Sequence, residues 1–162
     1  MLDLKLGQPA ATPESHATYL GFDFGEKKTG VAVGQRITGT ARGLEAIPSA
    51  NPDSLWAAVG RLVKVWQPSA FVVGIPRPLI EPEQKNPLIA RIERFCRELE
   101  TRYQIPVFLM DEALSTRESQ SIFYTRRSKK SVQFKDIKDE LAAQLILETW
   151  LNHTALRGHI DG

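Results

Sequence analysis

A short apolar segment that carries a single acid constrains this chain more than any other feature. Residues 19–25 read Tyr-Leu-Gly-Phe-Asp-Phe-Gly, a pattern typical of a buried strand that ends in a glycine-bounded turn. A second apolar run starts at Val31, directly after Gly30, so the two runs are expected to form a hairpin. An ionised carboxylate is costly to bury alone, so Asp23 should face a turn, a cation or a metal ion. The residues leave two interpretations of Asp23 open: a turn cap and a metal ligand.

Three further strands are predicted after this hairpin. Residues 41–47 alternate weakly between apolar and polar and follow the hairpin closely, which favours a third antiparallel strand. The runs 70–76 and 105–110 are continuously apolar and too short for helices, as expected of strands covered on both faces.

Helices are predicted between and after these strands. Residues 51–66 start with Asn-Pro-Asp, a helix-start signal, and repeat apolar residues at helical spacing. The same spacing predicts helices over 88–103 and from about 137 to 152, and a capping box predicts a short helix over 115–123. The order predicts an α/β fold with a mixed five-stranded sheet, in which three antiparallel strands precede alternating helices and strands and helices pack on the sheet.

The length of 162 residues suits one domain. Residues 1–18 are interpreted as a flexible N-terminal leader, residues 19–152 as the domain and residues 153–162 as a C-terminal tail. Cys96 is the only cysteine, which excludes an intramolecular disulfide and a multi-cysteine zinc site. No signal peptide or membrane-spanning run is recognised, so a cytoplasmic protein is expected.

The formal net charge is only +2, so any signal for nucleic-acid binding must come from local clustering of basic residues. One such cluster precedes the last predicted helix, and it consists of Arg126, Arg127, Lys129, Lys130, Lys135 and Lys138. The cluster suits salt-dependent binding of phosphates. It is equally compatible with a solvated surface loop.

Carboxylates occupy the places where chemistry is expected. Asp111 and Glu112 follow a buried strand, and Asp139 heads the apolar face of the last helix. Together with Asp23 they could meet at one sheet edge, where oxygen ligands would suit Mg²⁺ or Mn²⁺ and the hydrolysis of a phosphodiester. Asp139 could instead only stabilise the helix dipole. All three histidines lie in the predicted terminal segments, which leaves no base for a triad.

Four ordered blocks of sequence resemble the YqgF/RuvX family of RNase H-like nucleases. The blocks are Asp23-Phe24-Gly25 with Gly30 to Gly34, Val73 to Pro76, Asp111 to Thr116, and Asp139 with Ala142-Ala143 and Ile146-Leu147. The resemblance covers about residues 19–151. Members of the family are described as Holliday junction resolvases and as nucleases that mature the precursor of small-subunit ribosomal RNA.

The resemblance implies an RNase H-like fold and a divalent-metal-dependent nuclease with Asp23, Glu112 and Asp139 as its acidic metal-binding set. Asp111 is the less certain fourth member. Two positions depart from the family. Ala113 stands where relatives usually have arginine, and residues 128–138 lack the glycines common in that segment.

The expected activity is hydrolysis of phosphodiester bonds in structured RNA, most of all in maturation of the 5′ end of pre-16S ribosomal RNA, with the pre-ribosomal particle as a partner. Cleavage of branched DNA is the alternative, and it would favour a homodimer over a monomer. A non-catalytic RNA- or protein-binding module is a third interpretation. Actin-like and sugar-kinase folds share an Asp-x-Gly hairpin, but they need two such domains.

Overall fold

A computed structural model of the chain describes residues 17–76, 87–112 and 139–153, together with the backbone of residues 5–6 and 154–161. The strands in these parts are β1 (Lys5–Leu6), β2 (Thr18–Asp23), β3 (Lys28–Gln35), β4 (Thr40–Pro48), β5 (Ala70–Ile75) and β6 (Val107–Asp111). The helices are α1 (Pro52–Trp66) between β4 and β5, α2 (Pro87–Tyr103) between β5 and β6, and α3 (Asp139–Asp161) at the end.

The strands form one mixed sheet in the order β1-β6-β5-β2-β3-β4. Strands β2, β3 and β4 pair antiparallel, whereas β2, β5 and β6 pair parallel. The predicted mixed sheet and its five strands are confirmed. Strand β1 adds a sixth: Lys5 and Leu6 pair in parallel with Phe108 and Leu109. The interpretation of residues 1–18 as a leader did not include this strand, because two residues are too few to show a period of two.

The start of α1 is built as its sequence predicts. The Asn51 side chain accepts hydrogen bonds from the N–H groups of Asp53 and Ser54, at 2.9 and 3.2 Å, and Pro52 opens the helix. The helix ends at Gln67, which adopts a left-handed conformation with φ 45°. These contacts satisfy backbone groups that every helix end leaves without intrahelical partners.

Helices α1 and α2 cover one face of the sheet with an apolar core. Phe95 of α2 packs against three aromatic rings, those of Phe22, Phe24 and Trp56, with ring centroids 5.0 to 5.3 Å apart. Cys96 lies fully buried in the same core, and burial raises the pKa of its thiol to about 12. Trp56 therefore contributes to packing, as its helical spacing predicts.

Helix α3 covers the opposite face. Ala143, Ile146, Leu147 and Trp150 are buried against the residues of β2, β5 and β6 that face this side. The helix continues to Asp161, nine residues beyond the predicted end at Asn152. The interpretation of 153–162 as a tail missed this continuation because that segment lacks apolar periodicity. It contains good helix formers and no proline, so nothing in it ends a helix sharply.

The predicted helix over 115–123 lies outside the described residues. Among the helices that the structure describes, none combines the length and the apolar character needed to cross a membrane.

Candidate active site

Asp23 is the last residue of β2, beside the start of β3. The predicted hairpin forms, and Asp23 pairs with Gly30 across it. Side chains alternate between the two faces of a strand, and Tyr19, two alternations earlier, packs against α3. The Asp23 side chain therefore belongs to the face that α3 covers.

Glu112 approaches the same face from β6, which is two strands away from β2. Strand β5 lies between them and contributes Gly74 at this level of the sheet. A Cβ atom at residue 74 would lie 3.0 Å from Glu112 Oε1 and 2.6 Å from Ile146 Cδ1. Because adjacent strands are about 4.8 Å apart, β2 and β6 are separated by roughly 10 Å. The missing side chain at Gly74 gives the Glu112 carboxylate room to lean across β5 toward Asp23.

Asp139 completes this arrangement from the first turn of α3. Its backbone carbonyl lies directly over Gly30, the partner of Asp23, so a Cβ at residue 30 would collide with it. Only glycine, which has no Cβ, lets the end of the helix come this close to the strand. The sequence places Asp139 at the head of the buried face of this helix, and the structure brings it beside the Asp23 hairpin.

The three carboxylates influence one another electrostatically. Burial and the negative charges of Glu112 and Asp139 raise the pKa of Asp23 from its ordinary value of 3.8 to about 7. Burial, and next the charge of Asp111, raises the pKa of Glu112. Among the described residues, no Lys, Arg or His side chain forms an ion pair with Asp23, Glu112 or Asp139. Negative charge is thus concentrated at this point of the molecule.

Asp111 lies on the other side of the sheet. Phe108 and Met110 of β6 pack against α3, whereas Leu109 packs toward α1 and α2. Continued alternation assigns Asp111 to the Leu109 face and Glu112 to the Met110 face. The strand geometry therefore separates Asp111 from the other three carboxylates, although its charge still reaches Glu112.

The donor set at this edge fits a hard divalent cation by its chemistry. It consists of carboxylate oxygens, which Mg²⁺ and Mn²⁺ prefer. Burial and then the charges of Glu112 and Asp139 raise the pKa of Asp23, and a nearby cation would favour its charged form against both effects. The side chains are not closed into a ready-made cage, since no three His, Cys, Asp or Glu in the described parts of the chain form a metal-binding group. A bound ion would need additional oxygen ligands, from solvent or substrate.

Several predicted residues lie beyond what the structure describes. The predicted phosphate-binding residues Arg126, Arg127, Lys129, Lys130, Lys135 and Lys138 all fall outside the described residues, as does Ala113. Their contribution to a site stays a prediction.

Other residues of the site were missed by the sequence analysis. Gly30 and Gly74 make room for Asp139 and Glu112. In the sequence they appear only as members of the family blocks and as glycines within apolar strands, which does not reveal this role. Gln144 and Glu148 lie opposite the apolar face of α3, where they would be expected to face solvent. In the structure both accept hydrogen bonds from the edge strand β4.

An open cavity of about 240 Å³ lies elsewhere, at the far end of the β3–β4 hairpin. It is lined by Gln35, Thr38, Arg42 and Trp66, among others, and by none of the carboxylates. The Arg42 guanidinium lies 5.7 Å from the centroid of the Trp66 ring at its wall. This cavity is separate from the carboxylate site.

Comparison with known sequences identifies relatives over nearly the whole described chain. A family model described as "RuvX: Holliday junction resolvase" matches residues 17–153. A protein of Methylococcus capsulatus named "Putative pre-16S rRNA nuclease" is 53% identical over 136 residues, which are 84% of this chain and 89% of that protein. A Yersinia pestis protein of the same name is 40% identical over 141 residues, 87% of this chain and 99% of its own length.

Comparison with solved structures shows the fold. RuvC of Thermus thermophilus in complex with a Holliday junction matches with a TM-score of 0.60 at 15% identity, over 88% of this chain and 97% of RuvC. A second T. thermophilus RuvC structure matches with a TM-score of 0.52, also at 15% identity, over 87% and 96% of the two chains. The predicted RNase H-like fold is confirmed.

Proposed function

The chain belongs to the RuvX family, and on that premise we propose that it is a divalent-metal-dependent nuclease that acts on the precursor of 16S ribosomal RNA. Hydrolysis of phosphodiester bonds is the activity of this family's nucleases. The observation that supports the assignment of the site is that Asp23 is partly buried on the α3 face of the sheet and feels the negative charges of both Glu112 and Asp139. These three residues are the proposed catalytic set.

The proposed metal ligands are the same three carboxylates, and Asp111 is not among them because strand alternation turns it to the other face. Mg²⁺ or Mn²⁺, when bound there, supplies Lewis-acid stabilisation of the charge that develops on the phosphate oxygens. The pKa of about 7 for Asp23 supports this assignment. A carboxylate whose pKa is raised this far is strongly stabilised in its charged form by a nearby cation.

The chain's own residues position the reacting groups. Asp23 and Asp139 lie on two elements whose backbones are in close contact at Gly30, which fixes the spacing of the two main chains. Such preorganisation lowers the barrier by removing the need to assemble charges during the reaction. The basic residues from Arg126 to Lys138 immediately precede α3, and we assign them to the phosphates that flank the scissile bond.

The relatives favour RNA over branched DNA as the substrate. Proteins 53% and 40% identical to this chain carry the name of a pre-16S rRNA nuclease. Cleavage of Holliday junctions is the second candidate, favoured by the description of the family. Resolving a junction needs two cuts placed symmetrically, and hence a homodimer, whereas trimming RNA does not.

The test supplies purified protein and Mn²⁺ or Mg²⁺ with two substrates in parallel, a pre-16S RNA fragment that spans the 5′ processing site and a four-way DNA junction. Wild type is expected to cut the RNA, and Asp23→Asn and Asp139→Asn are expected to lose the cut while staying folded. Asp53→Asn is the matched control: it removes an exposed acid in the first turn of α1, a helix that covers the opposite face of the sheet, and should cut like wild type.

The other outcomes would each change one part of the proposal: the substrate, the role of Asp139 or the enzymatic activity. Metal-dependent cutting of the junction alone would assign the resolvase activity instead. Cutting that survives Asp139→Asn would remove Asp139 from the mechanism. Binding of RNA by the folded protein with no cutting in either metal would overturn the enzymatic assignment in favour of a binding module.

A further inference from the structure

Helix α3 is fastened to the sheet by polar side chains as well as by its apolar face. The backbone N–H of Gly43 donates to Gln144 Oε1 at 2.9 Å, and the backbone N–H of Ala41 donates to Glu148 Oε2 at 3.1 Å. One turn further, Asn152 Nδ2 donates to the carbonyl of Gly39 at 3.1 Å. We refer to these three bonds as the edge ladder.

The edge ladder follows from the geometry of its two elements. Gln144, Glu148 and Asn152 are four residues apart and so share one stripe of α3, with a rise of about 6 Å between them. Alternate residues of a strand are about 6.7 Å apart and point their backbone groups to the same edge. Gln144 and Glu148 therefore reach alternate residues on the outer edge of β4, Gly43 and Ala41, and α3 runs opposite to that strand. Asn152 reaches Gly39, which directly precedes β4.

The edge ladder restrains sliding and rotation of α3 on the sheet, which the apolar contacts restrain only weakly. Packing of Ala143, Leu147 and Trp150 against the sheet fixes how close the helix lies. Apolar contacts have little directionality, so they resist sliding and rotation of the helix less well than hydrogen bonds of defined geometry do. The first residue of this helix is Asp139, whose backbone lies over Gly30. A shift of α3 along its axis would displace Asp139 relative to Asp23 directly.

We propose that Gln144 and Glu148 are positioning residues, which set the register of α3 against β4 and thereby hold Asp139 beside Asp23. This inference rests on the proposed catalytic role of Asp139. Neither side chain is in the carboxylate cluster, and neither contacts substrate in this scheme. They act only through the helix that carries Asp139.

The test replaces the acceptors by apolar side chains of similar size, in Gln144→Leu and in the double variant Gln144→Leu/Glu148→Leu. Their matched controls, Gln144→Glu and Glu148→Gln, each keep an acceptor oxygen. We expect kcat for cleavage to fall about tenfold to a hundredfold in the Leu variants, as for other small misplacements of catalytic groups, with KM for the nucleic acid within a factor of two. The acceptor-retaining variants should stay within about threefold of wild type in kcat.

A stability control separates positioning from general weakening of the fold. Leu62→Ala removes a buried side chain of α1 on the other face of the sheet. It should lower the melting temperature at least as much as Gln144→Leu and leave kcat unchanged. Equal loss of kcat in Leu62→Ala and Gln144→Leu at matched stability would overturn the inference.

A second readout needs no catalysis. Because Asp139 and Asp23 repel each other, the effects of Asp23→Asn and Asp139→Asn on stability at pH 8 should be coupled in a double-mutant cycle. The coupling should be lost in the Gln144→Leu background and kept in Gln144→Glu. Coupling that persists in Gln144→Leu would overturn the inference, whether or not the protein cleaves.

If wild type cuts neither substrate, the proposed function fails and the double-mutant cycle still decides the role of the edge ladder. If the double Leu variant does not fold, Gln144→Leu alone carries the test.

Discussion

The two faces of the sheet hold their helices in different ways. Helices α1 and α2 pack through a large apolar and aromatic core, and the ion pairs on this face, such as Arg61–Glu45 at 2.7 Å, are substantially exposed. Helix α3 approaches the backbone of β3 and β4 closely and bonds to it through Gln144 and Glu148. The first face is held by apolar packing, which has little directionality, whereas the second adds hydrogen bonds of defined geometry. The carboxylate site lies on the second face, where a small shift would change the distances between charges.

The largest effect is expected from a substitution at Gly30, where the backbone of α3 lies against β3. In Gly30→Ala the new Cβ meets the backbone carbonyl of Asp139, which cannot rotate away as a side-chain end could. We expect a loss of about 3 kcal/mol or more in the free energy of unfolding, measured by urea denaturation.

Gly60→Ala in α1 is the control, because its Cβ would lie 3.4 Å from Tyr103 Oη. It should gain about 0.5–1 kcal/mol from helix propensity. Equal effects of the two changes would show that the faces do not differ.

Asp23→Asn tests how much the ionised carboxylate of Asp23, partly buried on the α3 face, lowers the stability of the fold. The folded pKa of about 7 exceeds the ordinary 3.8, so the folded state binds the proton more tightly than the unfolded state. Asp23 therefore lowers stability progressively as the pH rises from about 4 to about 7, and its full penalty is present above pH 7. We expect Asp23→Asn to be more stable than wild type by about 1–3 kcal/mol at pH 8 and equal to it near pH 4.

Thermal melts across this pH range, with and without Mn²⁺, measure the effect of Asp23. Mn²⁺ should raise the melting temperature of wild type at pH 8 and raise that of Asp23→Asn less, since ligands that bind the folded state stabilise it. A constant difference between the two proteins from pH 4 to pH 8 would contradict the raised pKa.

Gly74→Ala should have a smaller effect on stability, because its new Cβ meets the movable ends of Ile146 and Glu112. We expect a cost of about 1 kcal/mol, together with about a tenfold loss of cleavage as Glu112 is pushed aside. Denaturation and cleavage assays on the same preparation measure both. Full cleavage in Gly74→Ala would show that the reaction does not need the Glu112 carboxylate in its position over Gly74.

The smallest expected effect lies on the α1/α2 face. Arg102 lies 4.6 Å from the centroid of the Trp56 ring and bonds Glu98 at 2.8 Å, with nearly half of each charged side chain exposed. Arg102→Ala should cost about 0.5–1 kcal/mol and leave cleavage unchanged. Arg61→Ala, which breaks an exposed ion pair without a ring contact in the described residues, should cost less. A loss of cleavage in Arg102→Ala would show that the two faces are coupled.

Prediction from the sequence succeeded where the signal is local. The cap at Asn51 and the strand predicted over 70–76 depend on neighbouring residues. The cap forms, and the strand is observed as Ala70–Ile75. Prediction was incomplete where the signal lies in a distant partner. The strand at Lys5–Leu6 forms beside β6, and Gln144 finds its partner 101 residues away at Gly43. The basic residues from Arg126 to Lys138 lie outside the described chain, so their role stays a prediction.

The sequence by itself determined the alternation of strands and helices, the family and three acids at the ends of predicted elements, because periodicity and motif spacing are properties of the chain. Tertiary structure decided which acids share a face of the sheet. Asp111 and Glu112 are neighbours in sequence, yet strand alternation sends them to opposite faces, and only the order of strands brings Glu112 over Gly74 toward Asp23. Helix α3 then reaches Gly30 because two glycine-containing strands leave it room and the edge of β4 offers it hydrogen bonds. Contacts of this kind depend on positions in space that no local pattern specifies.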